Sequence, residues 1–168
     1  LWTSPNSFVA SANCGLYCRA SIDFVDIDKE TLNICPIALK IKLDKAKKIN
    51  KLPKIIVVVH FGGNSAKMKE IYEITSKYKI KLVEDASHAI GGRYNNNPIG
   101  SCEFSDIAVF SFHPVKIITT GEGGIALTNK EELYKKMLFY RSHGITRDKN
   151  FLNFKDKPDW YYEQQELG

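Results

Sequence analysis

An uninterrupted run of β-branched residues, Ile55–Val59, most limits how this chain of 168 residues can fold. A strand with one exposed face alternates apolar and polar residues, whereas this run has no polar position. Such a strand is buried on both faces, as in parallel sheets that are covered by helices. We therefore predict a buried strand over residues 54–60 within a largely parallel sheet.

Helical and extended segments alternate along the remainder of the chain. Apolar residues recur at helical spacing in several segments. Helices are predicted over residues 5–20, 34–50, 65–78 and 130–143, with Ser65 as the N-terminal cap of the third. Further strands are predicted over residues 23–27, 81–85, 106–112 and 124–128. This order predicts an α/β fold, with a mostly parallel sheet sandwiched by helices.

Composition and cysteine usage are those of a soluble globular protein. Hydrophobic residues make up 43% of the chain and charged residues 26%, and no apolar run reaches membrane-spanning length. No basic region followed by an apolar run opens the chain, so no signal peptide is predicted. The cysteines (Cys14, Cys18, Cys35 and Cys102) form no C-x-x-C pair, and no histidine completes a zinc site. We expect reduced thiols, no metal and a cytoplasmic location.

A lysine-rich segment carries much of the net charge of +5. Seven lysines fall from Lys40 to Lys54, against a lone Asp44. Such a run could attract nucleic acid or an anionic ligand. It has no interleaved aromatic residues and no nucleic-acid-binding motif, so a solvated helix face is the favoured interpretation. Neither nucleic acid nor a membrane is predicted as a partner.

Polar residues follow two predicted strands at their carboxyl ends, where ligands bind in parallel sheets. Asp85 and His88 come at the end of one strand, and Ser111 and Lys116 at the end of the next. This set matches the needs of pyridoxal phosphate (PLP): an amine for its aldehyde, a carboxylate for its ring nitrogen and a hydroxyl for its phosphate. These side chains at one sheet edge could therefore hold that cofactor.

Each of these residues also has a purely structural interpretation. A single lysine such as Lys116 is most often a solvated surface charge, and Asp85 could cap the segment that follows it. His60, His88 and His113 could be structural histidines, and the nearby glycines could simply form turns. The spacing of the residues by itself leaves these alternatives open.

Several short motifs occur in a fixed order along the chain. The first is Ser-Pro-Asn-Ser-Phe-Val-Ala-Ser-Ala-Asn at residues 4–13, followed by Phe-Val-Asp-Ile-Asp at 24–28. Glu-Asp-Ala-Ser-His-Ala occupies 84–89, Ser-Phe-His-Pro-Val-Lys occupies 111–116 and Arg-Ser-His-Gly occupies 141–144. In this order and spacing the motifs resemble those of the sugar aminotransferases of the DegT/DnrJ/StrS family. The likeness covers nearly the whole chain and implies the large domain of a fold-type-I PLP-dependent transferase.

The resemblance implies a role for five residues. Lys116 matches the lysine that forms the Schiff base with PLP, and Asp85 matches the carboxylate that pairs with the pyridine nitrogen. His88 matches the family's glutamine or histidine beside the ring hydroxyl. Ser111 falls where a serine binds the phosphate, and Phe8 where an aromatic ring stacks on the cofactor.

The loop over residues 113–124 looks most like that of the PseC branch of the family. Enzymes of that branch aminate a UDP-linked 4-keto-6-deoxy-N-acetylhexosamine on the way to pseudaminic acid, with glutamate as the donor. The resemblance therefore implies a nucleotide-sugar substrate, a glutamate donor and a homodimer. A relative that performs sugar dehydration has histidine in place of the Schiff-base lysine, and Lys116 argues against that reaction.

Residues 1–168 are expected to form part of a large PLP-binding domain. The family's phosphate loop would precede Leu1, and its small C-terminal domain would follow Gly168. Since family active sites draw residues from those parts and from two subunits, we expect a large-domain fragment. The alternatives to a transaminase are a non-catalytic PLP-fold binding or regulatory protein and an inactive fragment.

Overall fold

The computed structural model describes residues 1–167, and strands alternate with helices along them. The strands are Trp2–Thr3 (β1), Asp23–Phe24 (β2), Ile55–Val59 (β3), Lys81–Asp85 (β4), Arg93–Tyr94 (β5), Asn97–Pro98 (β6), Ile107–Ser111 (β7), Gly124–Leu127 (β8), Ile145–Thr146 (β9) and Glu163–Gln164 (β10). The helices are Ala10–Tyr17 (α1), Pro36–Lys48 (α2), Met68–Thr75 (α3) and Glu131–Arg141 (α4). Short 3₁₀ turns cover Phe61–Gly63 and Ser76–Tyr78.

Six strands form the main sheet, in the order β2-β1-β3-β4-β7-β8. In this order each strand is parallel to its neighbour as far as β7, and only β8, at the edge of the sheet, runs antiparallel to the strand beside it. The prediction of an α/β fold with a mostly parallel sheet is therefore confirmed. Because β8 pairs with β7 from the Ser111–Gly124 end, the loop 112–123 stays at the carboxyl edge of the sheet. That loop carries Lys116.

The β-branched strand β3 lies in the core, as predicted. Ile56 and Val58 are fully buried, while Val57 and Val59 on the opposite face are 5% and 8% exposed. Ile56 and Val58 share one hydrophobic cluster with Leu39 of α2 and Ile71 of α3. Burying side chains of this size contributes about 1.5–3 kcal/mol each. The hydrophobic effect thus holds the strands whose carboxyl ends form the site described below.

The regular elements are shorter than the sequence pattern predicted. The strand predicted over 23–27 ends at Phe24, and α2 begins at Pro36, a residue that suits the first turn of a helix. The prediction that Ser65 caps the next helix is wrong, because α3 begins at Met68 and Ser65 Oγ donates to the Ala66 carbonyl instead. The spacing of apolar residues predicts that a helix or strand is present, but it does not predict the residue at which tertiary contacts end it.

Most lysines of the lysine-rich segment are exposed, and the cysteines are not cross-linked. Lys42 pairs with Asp23 at 2.7 Å, and Lys47 lies over the Tyr78 ring, while the other five lysines are exposed. The solvated-face interpretation therefore holds for most of the segment. All four cysteines are free thiols. In residues 1–167 no helix combines the length and apolarity that crossing a bilayer requires.

The chain divides into two compact units, residues 1–129 and residues from 130 onward. In the second unit, β9 and β10 pair antiparallel, and the Glu163 carboxylate of β10 collects hydrogen bonds. It accepts from the backbone N–H groups of Asn153 and Phe154 at 2.8 and 3.0 Å, and from Tyr161 and Gln165 side chains. The hydrogen bond from the Asn153 backbone is the main cause that lowers the pKa of Glu163 from its ordinary value of 4.5.

Replacing Glu163 with Gln is expected to loosen the segment from Asn153 to Gln165. An amide offers one acceptor oxygen instead of two, so some donors lose their partner. Hydrogen exchange of the Asn153 and Phe154 amides should speed up about tenfold, while Glu131→Gln in α4 should leave it unchanged. Since the pKa of Glu163 is lowered by folding, its stabilising effect is present above pH 4.5 and is lost as the pH falls through the folded value. Equal exchange in both variants would contradict this role.

Candidate cofactor site

A cavity of about 750 Å³ opens at the carboxyl ends of β3, β4 and β7, within residues 1–129. Residues just before and at the start of α1 form one wall, and the loop 112–123 forms another. Its lining consists of Ser7, Phe8, Ala10, Val59, His60, Phe61, Gly62, Asp85, Ser87, His88, Ser111, His113, Val115, Lys116, Glu122 and Gly123. All five residues named from the sequence, Phe8, Asp85, His88, Ser111 and Lys116, therefore border one cavity.

The half-buried carboxylate of Asp85 ends β4 and is surrounded by neutral donors. Ser11 Oγ donates to Oδ2 at 2.5 Å, and Ser87 donates to Oδ1 through its Oγ at 2.6 Å and its backbone N–H at 3.2 Å. Within residues 1–167 no cationic side chain is paired with it. A carboxylate has about four acceptor positions, so one remains for a ligand. The negative charge that lines the cavity suits a cationic group.

The amine of Lys116 lies beside the imidazole of His88, with 2.8 Å between Nζ and Nε2. A tight turn, in which the Lys116 N–H donates to the His113 carbonyl at 2.9 Å, brings the lysine back over the sheet edge. Since an ammonium group can only donate, His88 accepts through Nε2 and carries its ring proton on Nδ1. No acidic side chain holds the Lys116 amine in the described part of the chain, so the amine can turn toward a bound electrophile.

Ser111 and Phe8 supply a hydroxyl and an aromatic face to the same cavity. Ser111 Oγ accepts the His113 backbone N–H at 3.3 Å, which leaves the hydroxyl proton free to donate to an anionic oxygen. Phe8 precedes α1 and is 76% exposed, so its ring can cover a flat ligand. No group of three or more metal-ligating side chains occurs within residues 1–167.

His60, for which the sequence suggested no role, belongs to a buried polar network beside the cavity. It is 1% exposed, and its Nδ1 accepts the Ala66 backbone N–H at 3.1 Å. Its Nε2 therefore carries the proton and donates to Glu84 at 2.8 Å, while Ser105 donates to the other Glu84 oxygen. His60 is thus a structural residue that ties the ends of β3 and β4 together. Glu84 shares the buried face of β4 with Leu82, and a charged residue at that position is the sequence signal for this network.

Gly63 lies close to the backbone of His88, whereas the neighbouring Gly62 has open space beside it. Both Gly62 and Gly63 have positive φ, at 58° and 85°. A Cβ on Gly63 would lie 2.6 Å from the His88 carbonyl oxygen, whereas a Cβ on Gly62 would meet nothing within 4 Å. The backbone of His88, and with it the Lys116 contact, would have to shift in the first case only.

Gly62→Ala is therefore expected to lower the free energy of unfolding by about 1 kcal/mol, the cost of a left-handed conformation for alanine. Gly63→Ala should lower it by about 1–3 kcal/mol more, because the added methyl group overlaps a backbone carbonyl. Urea denaturation of both variants measures the difference. An equal loss in the two proteins would show that the contact with His88 does not constrain the chain.

The fold is that of the fold-type-I transferases: a mostly parallel sheet flanked by helices, here with a lysine and a carboxylate at its carboxyl edge. Residues 1–157 match the model of the DegT/DnrJ/EryC1/StrS aminotransferase family. The chain belongs to that family. Aminotransferases of this family use PLP.

Several individual proteins are similar to nearly the whole chain. The chain is 43% identical over 166 residues to the UDP-4-amino-4,6-dideoxy-N-acetyl-beta-L-altrosamine transaminase of Campylobacter jejuni, covering 99% of this chain and 40% of the relative. It is 36% identical to the spore coat polysaccharide biosynthesis protein SpsC of Bacillus subtilis, with the same coverage. Among solved structures, Helicobacter pylori PseC, an aminotransferase of pseudoaminic acid biosynthesis, superposes with a TM-score of 0.82 at 35% identity, covering 99% of this chain and 40% of that one. The chain spans about 40% of the length of the curated relatives it matches.

Proposed function

We propose that this chain provides the cofactor-binding part of a PLP-dependent aminotransferase. In this reaction an amino group moves from glutamate to a nucleotide-linked keto sugar, a UDP-4-keto-6-deoxy-N-acetylhexosamine on the route to pseudaminic acid. The observation that carries the proposal is that one cavity is lined both by the Lys116 amine and by a carboxylate, Asp85, whose hydrogen-bond donors are all neutral. A lysine for covalent attachment and an unmatched acid for a cationic ring nitrogen are what PLP requires.

Each of the five cavity residues would have a separate role in this reaction. When bound, PLP supplies an electron sink for carbanion chemistry at the amino-bearing carbon. Lys116 would hold the cofactor covalently through its amine and is the residue that would move a proton at that carbon. Asp85 would stabilise a positive charge on the ring nitrogen, and Ser111 would donate a hydrogen bond to the phosphate. Phe8 would cover the ring, and His88, beside Lys116, would interact with the ring hydroxyl.

Two lines of support favour the UDP-sugar substrate. The loop 113–124 resembles the PseC branch, and the relatives that share 43% and 35% identity bear the names of a UDP-amino-sugar transaminase and PseC. We propose further that residues 1–168 belong to the large PLP-binding domain of a cytoplasmic homodimer. A second subunit would then complete the substrate site, with no nucleic acid or membrane involved.

Incubation of the protein with PLP, glutamate and the UDP-keto sugar tests this function. We expect 2-oxoglutarate and an amino sugar in equal amounts, measured by mass spectrometry. Lys116→Arg keeps the positive charge but should abolish both products, because a guanidinium cannot act as the nucleophile. Binding of PLP without formation of 2-oxoglutarate would contradict the transaminase and leave the two alternatives, a non-catalytic binding protein and an inactive fragment. Formation of 2-oxoglutarate without an amino sugar would retain the transaminase and overturn the sugar assignment.

A further inference from the structure

A chain of hydroxyl groups connects helix α1 to the Asp85 carboxylate. Ser11 Oγ lies 2.5 Å from Asp85 Oδ2, and Ser7 Oγ lies 2.9 Å from Ser11 Oγ. A carboxylate only accepts, so the single hydroxyl proton of Ser11 points to Asp85. Ser7 must then be the donor to Ser11. The hydrogen bonds therefore run in one direction, from Ser7 to Ser11 to Asp85.

We propose that Ser11 is a positioning residue for the Asp85 carboxylate, a role that rests on the proposed cofactor function. Ser11 is only 6% exposed, so little water competes for its hydrogen bond. It holds Oδ2 from the side of α1, while Ser87 holds Oδ1 from the opposite side. Contacts to both oxygens fix the plane of the carboxylate and so the direction of its remaining acceptor position. That position would accept a hydrogen bond from the protonated ring nitrogen of the cofactor.

The same hydrogen bond also connects the α1 wall of the cavity to the sheet. Ser11 lies one residue after Ala10 and three after Phe8, both of which line the cavity. Asp85 lies 74 positions away in the chain and belongs to the sheet. Fixing α1 to Asp85 therefore fixes the position of the segment that carries Phe8 relative to the carboxylate, and both residues line the same cavity. Ser87 cannot do this, because it is two residues from Asp85 on the same loop.

Measuring the binding of PLP and of an analogue without the ring nitrogen distinguishes a positioning role of Ser11 from a merely structural role. One ligand is PLP, and the other is its carbocyclic analogue, in which C–H replaces the ring nitrogen. Both form the same bond with Lys116 and carry the same phosphate, but only PLP interacts with Asp85 through a ring nitrogen. Dissociation constants are measured by absorbance for the wild-type protein and for Ser11→Ala, Ser11→Thr and Ser65→Ala. Ser65 is the control, since its hydroxyl contacts only the adjacent Ala66 carbonyl.

We expect Ser11→Ala to raise the dissociation constant of PLP about tenfold, the loss typical of a hydrogen bond to a charged group, and to leave that of the analogue unchanged. Ser11→Thr should restore PLP binding, because threonine keeps the hydroxyl, and Ser65→Ala should match the wild type. Equal weakening of both ligands, or no weakening of PLP, would overturn the positioning role. A wild-type protein that binds neither ligand would instead overturn the proposed function, so the two failures are distinguishable.

Discussion

Reduction of the protein with borohydride in the presence of PLP is expected to leave one pyridoxyl group per chain, on Lys116. The chain has many exposed lysines that can react slowly with an aldehyde, including most of the seven from Lys40 to Lys54. Among the lysines of residues 1–167, Lys116 alone lines the cavity with Asp85 and Ser111, so there the aldehyde would be held in place by contacts to its ring and phosphate. Positioning of this kind raises the local concentration of a reactant by many orders of magnitude.

Peptide mass spectrometry measures the site of labelling. At one equivalent of PLP we expect Lys116 to carry about 100-fold more label than any other lysine, and Lys116→Ala to abolish it. Lys48→Ala, which removes an exposed lysine of α2, should leave the labelling of Lys116 unchanged. Asp85→Ala should reduce it without moving it to another lysine. Label spread evenly over the surface lysines would mean that the cavity does not bind PLP.

Loss of the Glu84 carboxylate is expected to have the largest effect on stability. Glu84 is 5% exposed and accepts hydrogen bonds from His60 and Ser105. In Glu84→Ala both donors lose their acceptor within the protein interior, where water cannot replace it. Leaving a buried neutral donor without its acceptor costs about 1–3 kcal/mol, so the loss of both hydrogen bonds is expected to cost about 2–6 kcal/mol. Glu84→Gln should cost about 1–2 kcal/mol, because its oxygen can satisfy one of the two donors.

Urea denaturation followed by the fluorescence of Trp2 measures these losses. Trp2 is 7% exposed and shares the core of the unit that contains Glu84, whereas Trp160 belongs to the other unit and is 73% exposed. Glu73→Ala removes an exposed carboxylate of α3 and should change the free energy of unfolding by less than about 0.5 kcal/mol. A Glu84→Ala protein as stable as the Glu73→Ala protein would show that the buried network does not stabilise the sheet.

The elements that the sequence predicted best are those whose pattern is local. The run of β-branched residues in β3 predicted burial on both faces, and the structure buries residues 56–59 while Ile55 at the start of the strand is 36% exposed. The ends of helices were predicted less well. Residues 5–9 share the apolar character of α1 but precede it, and Ser65 has the chemistry of a cap without its geometry. The end of a helix depends on which of its unpaired N–H and C=O groups find hydrogen-bond partners in neighbouring segments. The local sequence pattern does not contain that information.

The candidate site, too, was predicted only in part from the sequence. Phe8, Asp85, His88, Ser111 and Lys116 could be named from the sequence, because motifs preserve residue type and order; their chemical roles remain predictions. The donors around Asp85 were not found, since nothing in the sequence connects Ser11 to a carboxylate 74 positions away.

The sequence by itself determined the fold class, the family and the residues that border the cavity, because these follow from patterns within short segments. Only the tertiary structure decided the partners of those residues: Ser11 and Ser87 on Asp85, His88 on Lys116, and Glu84 on His60. Packing of the sheet brings the ends of β3, β4 and β7 to one edge and places α1 against them. Hydrogen bonds reach only about 3 Å, so the neighbours of a carboxylate are fixed by that packing and not by position along the chain.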